Sequence, residues 1–455
     1  MTDDSTGFLF STPEMTRIFS LHAQLCAMMR FEWALTCSLE KQGVALAGSG
    51  AELEKLLDAD FVKLELLRTE ALDAGNIAIP FVHQLTTKVK SASEGASRAI
   101  HLGATSQDVL DTALVLQIRE ALNLILPAIE RLDAALTKQV RMHAETMLTG
   151  RTWLQPGPPT TLGLKLAGTL SALRRHRRRI KAAAERVLVL QFGGAVGTLS
   201  ALGSAGAEVS REVARILDLR EPELPWHTQR DNLVEVAALL ALLAGSLGKF
   251  AKDVALLMQA EIAEASEPVK EGRGGSSTMP QKRNPVACAA VLACVARFPG
   301  LVATLLSAMP QEHERGLGLW QAEWQALPET FTLTAALLAR SIEIAEDLEV
   351  DAAQMRRNLH ARLGLAQAEA VSIALTEKLG RSPAHELVRI AVGRVNETHQ
   401  HLANVLQAMP EVTAHLSARE IDRLLDARAY LGSARRFIDR VLDDVEQRRE
   451  GRSHG

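Results

Sequence analysis

The sequence predicts an all-α protein, and three observations carry that expectation. Aromatic residues make up only 4% of the 455 residues, with Tyr430 the single tyrosine, whereas strands favour aromatic and β-branched side chains. The chain is instead rich in Ala, Leu, Arg and Glu, which are strong helix formers. Apolar positions also recur at steps of three and four over segments far longer than a strand. A hydrophobic share of 47% and a charged share of 23% are those of a globular chain. The length suffices for two or three domains, each with its own core.

The first hundred residues read as short helices broken at Gly48-Ser49-Gly50, Gly75-Asn76 and Gly95. From Val109 to about Leu148, one helical face carries Leu114, Ile118, Leu122, Ile125, Ile129, Leu132, Leu136 and Val140. Pro127 lies inside this pattern and predicts a kink rather than a stop. Further long helices are expected from about Thr160 to Val189, from Asn232 to Ala265, after Pro285, and from about Glu329 to Leu348. The helix from Asn232 to Ala265 is apolar nearly all round, as a helix buried on every side would be. Beyond it, Asp351 reads as an N-cap, Ser382-Pro383 as a cap plus first helical residue, and Ser417–Glu420 as a capping box. These features divide the chain into an N-terminal helical domain (1–108), a central long-helix bundle domain (109–350) and a C-terminal helical domain (351–455). Five long helices, some without a polar face, point to burial against further copies of the chain.

Several function classes are disfavoured. The net charge is −3, from 51 basic and 54 acidic residues, which predicts neither a nucleic-acid nor a membrane partner. The run Arg174-Arg-His-Arg-Arg-Arg179 lies within a helix and has no interleaved aromatics, so it reads as a solvated or salt-bridged face. The longest uncharged apolar stretch, Val236–Gly248, is shorter than the roughly 18 residues of a membrane span. The four cysteines fit neither a zinc pattern nor a disulfide framework. The acidic start Met1-Thr-Asp-Asp lacks a signal peptide's basic region. A soluble, cytoplasmic protein without metal is expected, and His143 reads as an ordinary helix residue.

Three stretches rich in Gly, Ser, Thr and Pro interrupt the helical pattern, and function is sought there. In Gly274-Gly-Ser-Ser-Thr-Met-Pro-Gln-Lys-Arg-Asn-Pro285, flexible glycines and two serines precede Lys282 and a helix start at Asn284-Pro285. Loop amides, a lysine and a helix N-terminus suit an anion; the plainer reading is a capped surface loop. It is no P-loop, because the Gly-Lys-Ser/Thr ending is missing. In His101-Leu-Gly-Ala-Thr-Ser-Gln-Asp108, Thr105 and Ser106 can cap the following helix and offer hydroxyls to an anion. The third stretch is Gly150-Arg-Thr-Trp-Leu-Gln-Pro-Gly-Pro-Pro-Thr-Thr161.

The first of these stretches carries every fixed position of GSSxMPxKxNP, from Gly275 to Pro285, and so resembles the signature of the fumarase/aspartase superfamily. The 101–108 stretch is similar to that superfamily's first conserved region. The 150–161 stretch is similar to its second, with Trp153 in place of a histidine, as in bacterial 3-carboxy-cis,cis-muconate cycloisomerases (lactonizing enzymes). Gln191–Thr198, Pro225–Asp231, Met309–Arg315, Leu319–Trp324 and Tyr430-Leu-Gly resemble that branch too, so the likeness spans nearly the whole chain.

The resemblance implies a three-domain fumarase/aspartase-like fold with a central long five-helix bundle. It also implies a homotetramer with a twenty-helix core, whose composite active sites draw on three subunits. It implies anti intramolecular addition of a carboxylate to a double bond of a small di- or tricarboxylate, in aromatic catabolism, with no cofactor and no metal. Ser276 is the expected acid/base, with Ser277 as the alternative. Lys282 and Asn284 are expected to bind the carboxylate next to the carbanion. Thr105, Ser106, Arg151, Thr152, Gln155 and Arg315 are expected to hold the other anionic groups, His101 to orient substrate, and Trp153 to form an apolar wall. One departure stands out. Pro156-Gly157 replaces the His-Ala pair of the cycloisomerases, which suggests a pocket reshaped around the muconate 3-substituent, a sulfonate being one candidate. Two rival readings are an adenylosuccinate lyase-like C–N lyase, which would need an acid histidine near position 156, and a catalytically silent helix-bundle protein.

Overall fold

The computed structural model describes residues 6–268, 279 and 282–443. Helix accounts for 69% and strand for 4%, so the all-α expectation holds. The elements that matter below are α1 (Leu21–Lys41), α2 (Ser106–Met142), strands β1 (Met147–Thr152) and β2 (Gln155–Thr161), α3 (Leu162–Val187), α4 (Asp231–Leu257), α5 (Val286–Ser307) and α6 (Leu319–Glu346). Helices α2 to α6 are the five long helices read from the periodicity. Helix α2 runs through Pro127 but ends at Met142, short of Leu148.

The chain divides into two compact units. One holds Met1–Ile129, Arg175–Gly245 and Ala293–Ala339; the other holds Glu130–Arg174, Ser246–Leu292 and Arg340–Gly455. In the first unit, Met28, Met29, Phe31 and Leu35 of α1 pack in one apolar cluster with Phe81, Val109, Leu116, Phe192 and Val213. Phe31 meets Phe192 edge-on at 5.9 Å. The same unit buries Arg230 completely. Its guanidinium donates to Asp111 (2.7 and 3.0 Å) and to Glu323 (2.6 Å) and lies 5.0 Å from the Trp226 ring. The Trp320 indole N–H and the Gln311 amide complete the network on Asp111 and Glu323. A buried cation between two carboxylates is tolerable only because all three are hydrogen-bonded.

In the second unit, Glu267 accepts the N–H groups of Ala287 (3.0 Å) and Cys288 (2.6 Å) and so holds the first turn of α5. Ala265-Ser266 pairs antiparallel with Glu349-Val350. The C-terminal helices enclose a core that includes Val371, Leu375, Leu402, Leu406 and Ile421. The Asp351 cap and the Ser417–Glu420 capping box form as expected.

The structure corrects several local expectations. The 150–161 stretch is a β-hairpin rather than a loop. Gly95 lies inside the short helix Glu94–Ser97 instead of breaking one. The Ser382-Pro383 helix begins two residues earlier, at Arg381, behind Gly380. Among the described residues, three helices, α2, α4 and α5, are long and apolar enough to cross a membrane by length and composition once up to two charges are allowed in an 18-residue stretch. The chain itself buries 56% of the apolar stretch in α2 and in α4 but only 28% of that in α5.

Candidate active site

In the first unit the 101–108 turn leads into α2. His101 sits at φ +58°, in the left-handed region, which costs a non-glycine residue roughly 1 kcal/mol. Glu32 of α1 holds it there, with its own side chain fully buried. Its Oε2 accepts the His101 backbone N–H (2.9 Å) and its Oε1 lies 2.7 Å from His101 Nδ1. Burial pulls the imidazole pKa down. The Glu32 charge and hydrogen bond, together with the Asp108 charge, outweigh that and leave it above the ordinary histidine value. The hydroxyls of Thr105 and Ser106, both half-buried, have no hydrogen-bond partner among the described residues.

Asp108, fully buried, organises this turn. Its Oδ1 accepts from Gly193 N–H (3.0 Å) and Gln191 Nε2 (3.2 Å) and meets His227 Nε2 at 2.7 Å. Its Oδ2 accepts from Thr105 N–H (3.0 Å) and Gly194 N–H (2.9 Å). One carboxylate thus ties the start of α2, the Gly193-Gly194 turn and His227 together. Arg315 donates to Gln107 Oε1 (3.1 Å), to Gly194 O (3.1 Å) and to Ala195 O (2.5 Å). Burial lowers the Arg315 pKa, against the charges of Asp108 and Asp111. In this unit the structure therefore brings His101, Thr105, Ser106 and Arg315 to the same end of α2.

The second unit carries the hairpin. Its two-residue turn, Trp153-Leu154, has φ +53° and +64°, as the twist of a tight hairpin requires of both turn residues. Neither residue is a glycine, and Trp153 is 97% exposed. A strained turn that presents a large aromatic to solvent makes this position a candidate for function. The ladder shifts register at Gly150, where a Cβ would lie 2.5 Å from Pro158 O. Arg151 is anchored to buried Glu264 by two bonds of 2.9 and 2.6 Å, and Glu264 also accepts from Asn358 Nδ2 at 2.8 Å. Thr152 and Gln155 flank the turn as a cross-strand pair and are exposed. Lys282 is exposed, and Asn284 and Pro285 lead into α5. Ser276 and Ser277 lie outside the described residues.

Two families match this chain, one described as Lyase over residues 9–300 and one as Adenylosuccinate lyase C-terminus over 364–441. The 3-carboxy-cis,cis-muconate cycloisomerase of Pseudomonas aeruginosa is 51% identical over 433 residues, 95% of this chain and 94% of that protein. The enzyme of the same description from Acinetobacter baylyi is 42% identical, covering 96% and 98%. The crystal structure of the 3-carboxy-cis,cis-muconate lactonizing enzyme from Pseudomonas putida superposes with a TM-score of 0.91 at 47% identity, covering 97% of this chain and 99% of that one. The chain belongs to the fumarase/aspartase superfamily. Of the motifs that pointed to this superfamily, 101–108 leads into α2, 150–161 forms the hairpin and Lys282–Pro285 leads into α5, while the preceding residues of the last motif, Met279 excepted, lie outside the described residues.

Sequence reasoning missed three supporting residues. Glu32 is one glutamate inside a long helix and carries no motif. Asp108 closes the 101–108 stretch and His227 lies in the 225–231 stretch, but neither is among the expected site residues. A buried Asp or His inside a quoted motif was the available signal for those two; for Glu32 there was none.

Proposed function

We propose that the protein is a cycloisomerase that converts 3-carboxy-cis,cis-muconate to 4-carboxymuconolactone in aromatic catabolism. The observation that carries the reading is the likeness, over nearly the full length, to proteins of that description at 42–51% identity. In the reaction one substrate carboxylate forms a C–O bond across a double bond, and a proton is added to the neighbouring α-carbon, so nothing leaves. The hard species is the dianionic aci-carboxylate, and fixed cations and N–H donors aimed at it supply the largest stabilisation. Lys282 and Asn284, before the N-terminus of α5, suit that role. The hydroxyls of Thr105 and Ser106, with His101 and Arg315, suit the remaining carboxylates. Trp153, Thr152 and Gln155 belong to a hairpin that Arg151 anchors. Ser276 is assigned as the proton donor, with Ser277 as the alternative; a Gly-rich loop can lower the cost of a serine oxyanion through backbone amides.

We also propose a homotetramer with active sites shared between subunits. Helix α5 supports it: it has the highest mean hydropathy of the three apolar helices, 2.0, and the least burial within its own chain. Such a face needs a cover, and further copies of the same helix provide one.

The test follows loss of diene absorbance with 3-carboxy-cis,cis-muconate, with 3-sulfomuconate in parallel. Turnover that disappears in Ser276→Ala supports the reading. No turnover of either muconate refutes it and turns attention to adenylosuccinate and then to a silent bundle. Light scattering that finds fewer than four chains per particle refutes the assembly.

A further inference from the structure

We infer that Glu32 is the positioning residue of the site: it holds the His101 imidazolium through Nδ1–H, leaving Nε2–H to receive a substrate carboxylate. The inference rests on the functional reading above for the identity of the carboxylate, but its geometry stands alone. Glu32 is a fully buried acid of α1, a helix that also buries Met28, Met29, Phe31 and Leu35. A carboxylate in such a place is costly unless both oxygens are used, and both are used on one residue. The backbone N–H of His101 can only donate, so it claims Oε2 at 2.9 Å. Oε1 then faces Nδ1 at 2.7 Å, and a carboxylate accepts, so Nδ1 carries the hydrogen. Nε2 has no partner among the described residues. The two-point grip also holds His101 at φ +58°, so ring direction and backbone are set together.

The charges around this turn are few. Helix α1 contributes Glu32, and the first turn of α2 contributes Asp108, which is engaged with His227 and four N–H donors. The Gly193-Gly194 turn and Leu202, which lies against Gly103, bring no charge of their own, and the cation beside them is Arg315, whose guanidinium donates to Gly194 O and Ala195 O. Both carboxylates favour the imidazolium, and that form binds an anion better than neutral imidazole does.

Glu32→Gln inverts the arrangement. The backbone N–H still demands an acceptor, so the amide oxygen stays with it and the NH₂ faces Nδ1. Nδ1 must then accept, and the ring becomes the neutral tautomer protonated at Nε2. Glu32→Asp keeps the charge and two accepting oxygens on a side chain one methylene shorter.

The experiment measures binding of propane-1,2,3-tricarboxylate by calorimetry between pH 6 and 9 in the full-length protein and both variants, beside muconate turnover. In the unaltered protein, affinity is present below the raised pKa of His101 and lost as pH climbs through it. In Glu32→Gln, affinity falls about tenfold at pH 7, the equivalent of about 1.4 kcal/mol, and the high-pH loss flattens or moves to lower pH. Its KM for muconate rises more than its kcat falls. Glu32→Asp recovers most of both. A Glu32→Gln protein with the unaltered affinity and pH profile overturns the inference, as does an unaltered protein that does not bind the tricarboxylate. If the tricarboxylate binds with the expected dependence but no muconate turns over, the functional reading fails and the role of Glu32 stands.

Discussion

Asp108→Asn is the sharpest test of how the first unit holds its part of the site. The carboxylate has five donors around it, divided between its two oxygens: Gly193 N–H, Gln191 Nε2 and His227 Nε2 on Oδ1, Thr105 N–H and Gly194 N–H on Oδ2. An asparagine has one oxygen and one NH₂, and either orientation fails. With the NH₂ at the Oδ2 position, it confronts two backbone N–H groups that cannot turn away. With the NH₂ at the Oδ1 position, it confronts the Gly193 N–H, the Gln191 amide and His227; because the Gln191 oxygen already accepts the Trp226 N–H, only His227 can present an acceptor without breaking another bond. At least two buried donors therefore lose their partner, at about 1–3 kcal/mol each. The expected loss is about 2–6 kcal/mol, against a total stability of about 5–15 kcal/mol. Urea unfolding at fixed protein concentration measures it, since assembly makes the midpoint depend on concentration. A loss below about 1 kcal/mol would refute the claim that this carboxylate is the local organiser.

Three further outcomes follow from the same geometry. Arg230→Met leaves Asp111 and Glu323 buried without their cation and should cost about 3–5 kcal/mol. Burial already holds the Glu323 carboxyl above its ordinary value. Without Arg230 it rises further, so the folded form binds more protons and the defect shrinks as pH falls from 8 to 5; a defect that grows on acidification would contradict this. Gly150→Ala pushes a Cβ to 2.5 Å from Pro158 O and should lower the melting temperature and the turnover together. Trp153→Gly relieves the strained turn, so stability should be unchanged or slightly raised while turnover drops; equal turnover would remove Trp153 from the site.

Much of this architecture could be read from local pattern, because helices announce themselves through periodicity. The five long helices follow the apolar pattern closely, except that α6 begins ten residues before Glu329, at Leu319, and runs through Pro328, and that α4 ends at Leu257, short of Ala265. The hairpin was illegible for a physical reason. Pro156, Pro158 and Pro159 lack the N–H a central strand needs, and β2 tolerates them because it pairs on one side only. The supporting pairs were illegible because they are long-range: Glu32 and His101 are 69 residues apart, Arg151 and Glu264 113, Asp108 and His227 119. Motifs marked where chemistry sits, whereas the acids that aim those motifs come from distant helices whose sequence shows nothing unusual.

Pro156 and Gly157 bring these two levels together, because here the superfamily pattern and the local geometry can be separated by mutation. Pro156 stands opposite Arg151 in the ladder. An alanine Cβ at position 157 would meet Gly150 O at 3.6 Å and Thr152 Oγ1 at 3.9 Å, ordinary contacts. Pro156→His with Gly157→Ala therefore places the cycloisomerase pair in a hairpin that still folds, at a cost of about 0.4–1 kcal/mol for the lost proline restraint, partly offset at position 157. Any larger change in kinetics then reports chemistry rather than folding. If Pro-Gly adapts the pocket to a 3-substituent other than carboxylate, the double variant shifts the ratio of kcat/KM for 3-carboxy- over 3-sulfomuconate upward by about tenfold, or about 1.4 kcal/mol of transition-state discrimination. An unchanged ratio in a stable variant would mean that the pair sits outside the discriminating contacts. The hairpin's role would then reduce to presenting Trp153.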